Sequence, residues 1–191
     1  MRPQRKDKAP AASAHVEPES PPEGAQLDRI DRRILATLQK NGRLTNVALA
    51  DLVGLSPSPC LRRVKRLEAE GYIQGYAAIL GTEKVGFGAT VFVHVSITQS
   101  TQTAAQEFRA AIGRIPEVIA CHAVSGNEDF LLTVVTKDLE SYKRLNEDVL
   151  LRLPNVVKKV SSFSLDLIKQ VNRLPLEILP GFKEELAPPR K

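Results

Sequence analysis

A chain of 191 residues with 42% hydrophobic content carries enough apolar material for one large or two small folded cores, which excludes a wholly disordered protein. Its net charge of +5 favours anionic partners, and the excess is local: residues 27–76 hold nine Lys/Arg against five Asp/Glu, whereas 77–191 hold fourteen against thirteen. Two distant cysteines in apolar settings, Cys60 and Cys121, read as buried thiols rather than metal ligands or a disulfide, and the lack of an apolar leader or a membrane-length apolar run makes a cytoplasmic protein the expectation.

Residues 1–26 are rich in Pro, Ala, Ser and Glu with almost no large apolar side chain, and read as a disordered tail. Asp28 is placed to cap a first helix running to about Lys40, with Ile30, Ile34, Leu35 and Leu38 as its buried face and Asn41-Gly42 as its end. Thr45 then caps a second helix carrying Leu49, Ala50 and Leu52, and Gly54 supplies the left-handed residue that ends it. Ser56 offers a cap to a third helix over about 57–70, where Pro57 and Pro59 fall in the first turn. Cys60, Val64 and Leu67 make a buried stripe on that helix, with Ser58, Arg62, Lys65 and Arg66 opposite.

Two short helices joined by a tight turn, the second strongly basic, form a helix–turn–helix over about 46–65. The residue types suit double-stranded DNA: hydroxyls near a helix N-terminus reach base edges, and cations further along hold phosphates. The candidate DNA contacts are Thr45, Asn46, Ser56, Ser58, Pro59, Arg62, Arg63, Lys65 and Arg66. After Gly71, YIQGYAAIL reads as strand, with Gly75 permitting a bend or tight hairpin, so 27–80 is expected to form a winged helix–turn–helix domain. The glycine-rich 81–89 reads as a hinge.

From 90 onward the pattern changes to strands and helices in the order β, α, β, β, α, β. TVFVHVSIT (90–98) alternates Val91, Val93, Val95 and Ile97 against Phe92, His94 and Ser96. A helix from Ala104 to Ile115 follows, burying Phe108, Ala111, Ile112 and Ile115. Next come strands at 118–125 and 130–135, then a helix from Leu139 to Leu153 with Tyr142, Leu145, Val149 and Leu150 inward. The last strand spans 156–168. The fold class is therefore α+β, the second domain (90–172) a ferredoxin-like antiparallel sheet with two helices on one face. Helices cover only one side, so the other face calls for a second subunit and a homodimer. Residues 173–191, with Pro175, Pro180, Pro188 and Pro189, read as an extended C-terminal tail.

Taken together, LDRIDRRIL (27–35), LQKNGR (38–43), VGLSPSPCLRRVKRLEAEGYIQGY (53–76), ACHAVSG (120–126) and LLRLPNV (150–156) resemble the Lrp/AsnC family of bacterial and archaeal transcriptional regulators, and within it the leucine-responsive members. The resemblance runs from about Leu27 to Leu174. It implies a DNA-binding domain joined to a domain that senses a small amino acid between protomers. It also implies dimers that assemble further into tetramers or octamers. The loop matching the family's effector region is Val124, Ser125, Gly126, Asn127, Glu128, Asp129 and Phe130. Backbone N–H groups near Gly126 suit a carboxylate, and Glu128 or Asp129 suits an ammonium. Asn127 and Glu128 stand where the leucine-responsive pattern leads one to expect an acidic residue and then an aromatic. Leucine, another branched-chain amino acid, proline or no effector all stay open.

The rival readings are an architectural DNA binder without effector, an RNA-binding sensor, and a small enzyme. His15, His94 and His122 lie in a tail and in strand-like runs, and no nucleophile, base and orienter set or metal spacing accompanies them, so no catalysis and no metal is expected.

Overall fold

The computed structural model describes residues 27–98, 101–170, 173–180 and 182, so the disordered tail expected at 1–26 lies outside the described residues. The chain divides into two units, one comprising residues up to Tyr76 together with those from Arg173 on, the other Ala77–Asn172.

The first unit contains α1 (Arg29–Lys40), α2 (Asn46–Val53) and α3 (Pro57–Ala69). The α1 N-terminus is a reciprocal capping box: the Asp28 carboxylate accepts from the Asp31 N–H, and the Asp31 carboxylate from the Asp28 N–H. Thr45 caps α2 by accepting from the Ala48 N–H at 3.2 Å, and Gly54 ends it at φ 77°. Ser56 occupies the N-cap of α3 but makes no side-chain cap bond. The third residue of that helix, which would donate to it, is Pro59 and has no N–H. Ile34, Leu49, Ala50, Val53, Cys60 and Leu67 form the core. Ala50 is fully buried, as a close helix crossing requires. Leu52 is 54% exposed, because Leu49, Ala50 and Val53 already make the inward face and three residues' rotation from Leu49 carries Leu52 off it.

The wing strand does not form. Residues 72–80 pair with no strand among the described residues, and Gly75 at φ 154° interrupts the extended run. Tyr76 instead donates its hydroxyl to Glu68 at 3.1 Å. The C-terminal segment is more ordered than its prolines imply: a short 3-10 helix spans Leu176–Ile178, and Phe182 is 6% exposed.

The second unit holds β1 (Ala89–Ile97), α4 (Gln102–Ile112), β2 (Val118–Ala123), β3 (Phe130–Thr136), α5 (Leu139–Asp148) and β4 (Val156–Phe163), preceded by a short 3-10 helix at Glu83–Val85. The sheet is antiparallel in the order β2-β3-β1-β4, as the ferredoxin-like reading requires. Val91, Val93, Val95, Leu132 and Val134 meet Phe108 and Ile112 of α4 and Tyr142 of α5 in one core. Lys159 lies opposite Val95 on this covered face, where burial pushes its pKa down and its ammonium binds Asn146.

Three boundaries differ from expectation by three residues or more. α4 stops at Ile112, with Gly113 as its cap, although Ile115 still packs in the core. α5 stops at Asp148, because Val149 leaves helical geometry and a 3-10 turn follows at Leu150–Arg152. Val149 is consequently 36% exposed rather than inward, and Leu150 and Leu153 fill the core. Pro154 disfavours a helical backbone at Leu153, which is extended, so the helix cannot run through to Leu153. β4 ends at Phe163 rather than 168. Beyond the Ser164 N–H bond to the Thr90 carbonyl no strand pairing continues among the described residues, and Leu165, Leu167 and Ile168 are exposed. Cys121, read as buried, is exposed on the edge strand β2, whereas Cys60 is buried as expected.

Candidate functional site

The basic helix α3 presents two distinct stripes. Ser58, Arg62 and Lys65 are exposed, and neither Arg62 nor Lys65 forms an ion pair among the described residues. Arg63 and Arg66 turn toward α1. Arg63 Nη1 donates to Asp28 Oδ2 at 2.6 Å and to Asp31 Oδ1 at 2.8 Å, and Arg66 Nη2 donates to Asp31 Oδ2 at 2.5 Å. The Asp31 side chain is 1% exposed. Burial works against the charge on Asp28, but the Asp31 N–H and the Arg63 guanidinium outweigh it and hold its carboxyl below the ordinary value. Asp31, then Asp28, raise the pKa of Arg63. This carboxylate pair escaped the sequence reading, which used Asp28 only as a cap. The Asp-x-x-Asp spacing at a helix start was its visible signal.

The other expected DNA contacts divide similarly. Ser56 is exposed and Pro59 partly buried, while Thr45 is committed to its cap. Asn46 turns inward: its Nδ2 donates to the Pro57 carbonyl at 2.7 Å, tying α2 to the start of α3. Gly54 and this bond set the turn, and Arg33 adds a tie from α1 to the Leu52 carbonyl at 2.9 Å.

The loop at 124–130 joins β2 to β3 and closes with a Val124 N–H bond to the Asp129 carbonyl. Val124, Ser125, Gly126 and Asn127 are exposed, and Gly126 sits at φ 132°, a conformation that favours glycine. The acidic residues are already engaged. Asp129 Oδ2 accepts from the Ile97 N–H at 2.9 Å where β1 shifts register, and Glu128 pairs with Lys158 at 3.6 Å. Phe130 points into the core, stacked on Phe108 with ring centroids 4.6 Å apart. Of the seven expected effector residues, the loop tip is therefore open and its C-terminal end structural.

On the face of the sheet away from the helices, Val160, His94, Leu131 and His122 lie in register across four strands, with Ser162, Phe92, Thr133 and Ala120 in the next row. Phe92 and Val160 are exposed there, at 39% and 44%.

Comparison with known proteins assigns both units. Residues 27–74 match the model of a winged helix-turn-helix DNA-binding domain, and 90–174 match the Lrp/AsnC ligand binding domain. The leucine-responsive regulatory protein of Salmonella typhimurium is 43% identical over 154 residues, 81% of this chain and 94% of that protein. The chain belongs to the Lrp/AsnC family. The same regulator from Escherichia coli is 42% identical over the same shares. Among solved Lrp/AsnC structures, a transcriptional regulator of Neisseria meningitidis in complex with L-Met is 43% identical with a TM-score of 0.74, covering 80% of this chain and 98% of that one. A feast or famine regulatory protein from M. tuberculosis, complexed with L-methionine, is 31% identical with a TM-score of 0.70, covering 78% and 98%. As a member of this family the chain is a DNA-binding transcriptional regulator and not an enzyme. No helix among the described residues is long and apolar enough to cross a membrane.

Proposed function

We propose that this regulator binds DNA as a dimer, α3 entering the major groove from each protomer, and that an amino acid with an apolar side chain, bound between protomers, shifts the arrangement of the two reading helices. The observation that carries the DNA reading is the exposed stripe of Ser58, Arg62 and Lys65 on a helix otherwise locked to its domain. Exposed Ser56 completes its N-terminal end. Thr45, Asn46 and Pro59 serve by shaping the turn, and Arg63 and Arg66 by holding the helix. The apolar effector class draws support from the L-methionine complexes of two relatives and the leucine-responsive name of others.

In this reading the effector meets the exposed tip of the loop, Val124, Ser125, Gly126 and Asn127. Its ammonium competes with Lys158 for Glu128, while Asp129 and Phe130 hold the loop in place. The open sheet face supplies the dimer contact, since exposed Phe92 and Val160 lie on the side that no helix covers. Tetramers or octamers then form from dimers, in the cytoplasm.

Selecting genomic fragments with the purified protein, with and without a pool of amino acids, tests this directly. The expected result is a discrete, dyad-symmetric site whose enrichment changes with methionine, leucine or a similar amino acid. Enrichment that no amino acid alters would replace it with the architectural reading. Light scattering on the same sample should give a dimer or a multiple of one, and a monomer would remove the sheet interface.

A further inference from the structure

A DNA-reading helix with four cations in five positions, Arg62, Arg63, Lys65 and Arg66, invites the assumption that all four serve the phosphate backbone. The two pairs lie about 100° apart around α3 and have opposite circumstances. Arg62 and Lys65 are exposed to solvent. Arg63 and Arg66 converge on one buried carboxylate, each taking a different oxygen of Asp31, at 2.8 and 2.5 Å. Asp31 Oδ2 also accepts from the Asp28 N–H at 3.2 Å, and Asp28 adds a second grip on Arg63 at 2.6 Å. The capping box that starts α1 is thus the same group of atoms that holds α3.

We infer that Asp31 is a positioning residue for DNA recognition: its grip on Arg63 and Arg66, one turn apart, sets the rotation of α3 and withholds both guanidinium groups from the phosphates, leaving Arg62 and Lys65 as the phosphate-contacting cations of that helix. The inference rests on α3 being the reading helix. The physical reason is an asymmetry of cost. Arg62 and Lys65 need only exchange water and counterions for a phosphate. Moving Arg63 or Arg66 to a phosphate takes one of two cationic partners from a carboxylate that is 1% exposed, and weakening the pairing of a buried charge costs more than losing a surface pair. Two contacts a turn apart on one rigid carboxylate also resist rotation of α3 about its axis, where a single pair would allow it. Arg66 is further flanked by Glu70, 3.8 Å from its Nε, which adds acidic surroundings that a phosphate would have to displace.

The salt dependence of DNA binding separates the two stripes. Affinity is measured over a salt series for a duplex recovered by genomic selection and for a scrambled duplex, using full-length wild type, Arg62→Gln, Lys65→Gln, Arg63→Gln, Arg66→Gln and Asp31→Asn. Arg62→Gln and Lys65→Gln should each flatten the slope of log K against log salt by about 0.9. Arg63→Gln and Arg66→Gln should leave the slope as in wild type while lowering the ratio of specific to scrambled affinity. Asp31→Asn should steepen the slope, since the released guanidinium groups become available to phosphates, and should narrow that ratio. An Arg66→Gln slope as flat as that of Arg62→Gln overturns the inference while leaving α3 as the reading helix. A folded Asp31→Asn protein with lowered thermal stability but an unchanged slope and ratio reduces Asp31 to a purely structural residue and also overturns it. Where Asp31→Asn does not fold, the four cation variants decide alone. Wild-type slopes in all four would mean that α3 is not the reading helix, so that both readings fall together.

Discussion

Gln39 of α1 holds Leu174 by both of its backbone polar groups: Gln39 Nε2 donates to the Leu174 carbonyl at 2.7 Å, and the Leu174 N–H donates to Gln39 Oε1 at 3.1 Å. A few residues on, Phe182 is buried and the Arg32 guanidinium lies 5.9 Å from its ring centroid. The segment that follows the ligand-binding unit therefore belongs to the DNA-binding unit, and the two units are joined by two chain crossings rather than one. Gln39→Ala should release 173–182 at a cost of about 1–2 kcal/mol, two hydrogen bonds at their usual net value. Limited proteolysis should then cut this segment faster than in wild type, and an unchanged cleavage rate would show that Phe182 alone secures it.

Phe130 belongs to the core rather than to the effector loop's open end. Phe130→Ala should lower stability by about 3–5 kcal/mol, as truncation of a buried aromatic ring does, through loss of its stacking on Phe108 and the cavity left behind. Urea unfolding checks this. A variant of wild-type stability that has lost only its amino-acid response would place the ring in the ligand site instead.

Asp129 holds β1 at the register shift between Ser96 and Ile97 through its bond to the Ile97 N–H. Asp129→Asn keeps an acceptor oxygen and should be nearly neutral in a thermal melt. Asp129→Ala leaves that N–H without its partner and should cost about 1–3 kcal/mol. Equal losses in both variants would point to the charge rather than the hydrogen bond.

The Asp28 carboxyl, held below its ordinary pKa, contributes stability above the unfolded-state value of about 3.9, and this is lost as pH falls through the lower folded-state value. Asp28→Asn should accordingly flatten the acid limb of the stability curve below about pH 4 and leave its neutral-to-alkaline shape unchanged. Chemical unfolding at a series of acidic pH values measures it, and an acid limb as steep as wild type would assign that sensitivity to other carboxylates.

Much of this was readable in the chain. The alternation of Val91, Val93, Val95 and Ile97 against Phe92, His94 and Ser96 announced β1 and its two faces, because a strand's period of two ties each residue to one side. Thr45, Gly54 and the prolines of α3 marked helix ends, since capping and left-handed conformations depend on residues adjacent in sequence. What failed was non-local. The run after Gly71 has strand-forming residues, but a strand exists only with a neighbour, and none lies beside it among the described residues. Cys121 sits in an apolar run yet on an edge strand, and only the strand order β2-β3-β1-β4 reveals the edge.

The same distinction governs the site. Sequence alone determined that α3 is a basic helix after a tight turn, that a glycine-bearing loop joins two strands, and that the chain's family is Lrp/AsnC, since periodicity, caps and motifs are properties of neighbouring residues. Only the tertiary structure decided which cations of α3 are at liberty. Arg62 and Arg63 are adjacent and chemically identical, and what separates them is Asp31, 32 residues from Arg63 in the chain, whose buried carboxylate takes the second arginine and leaves the first in solvent.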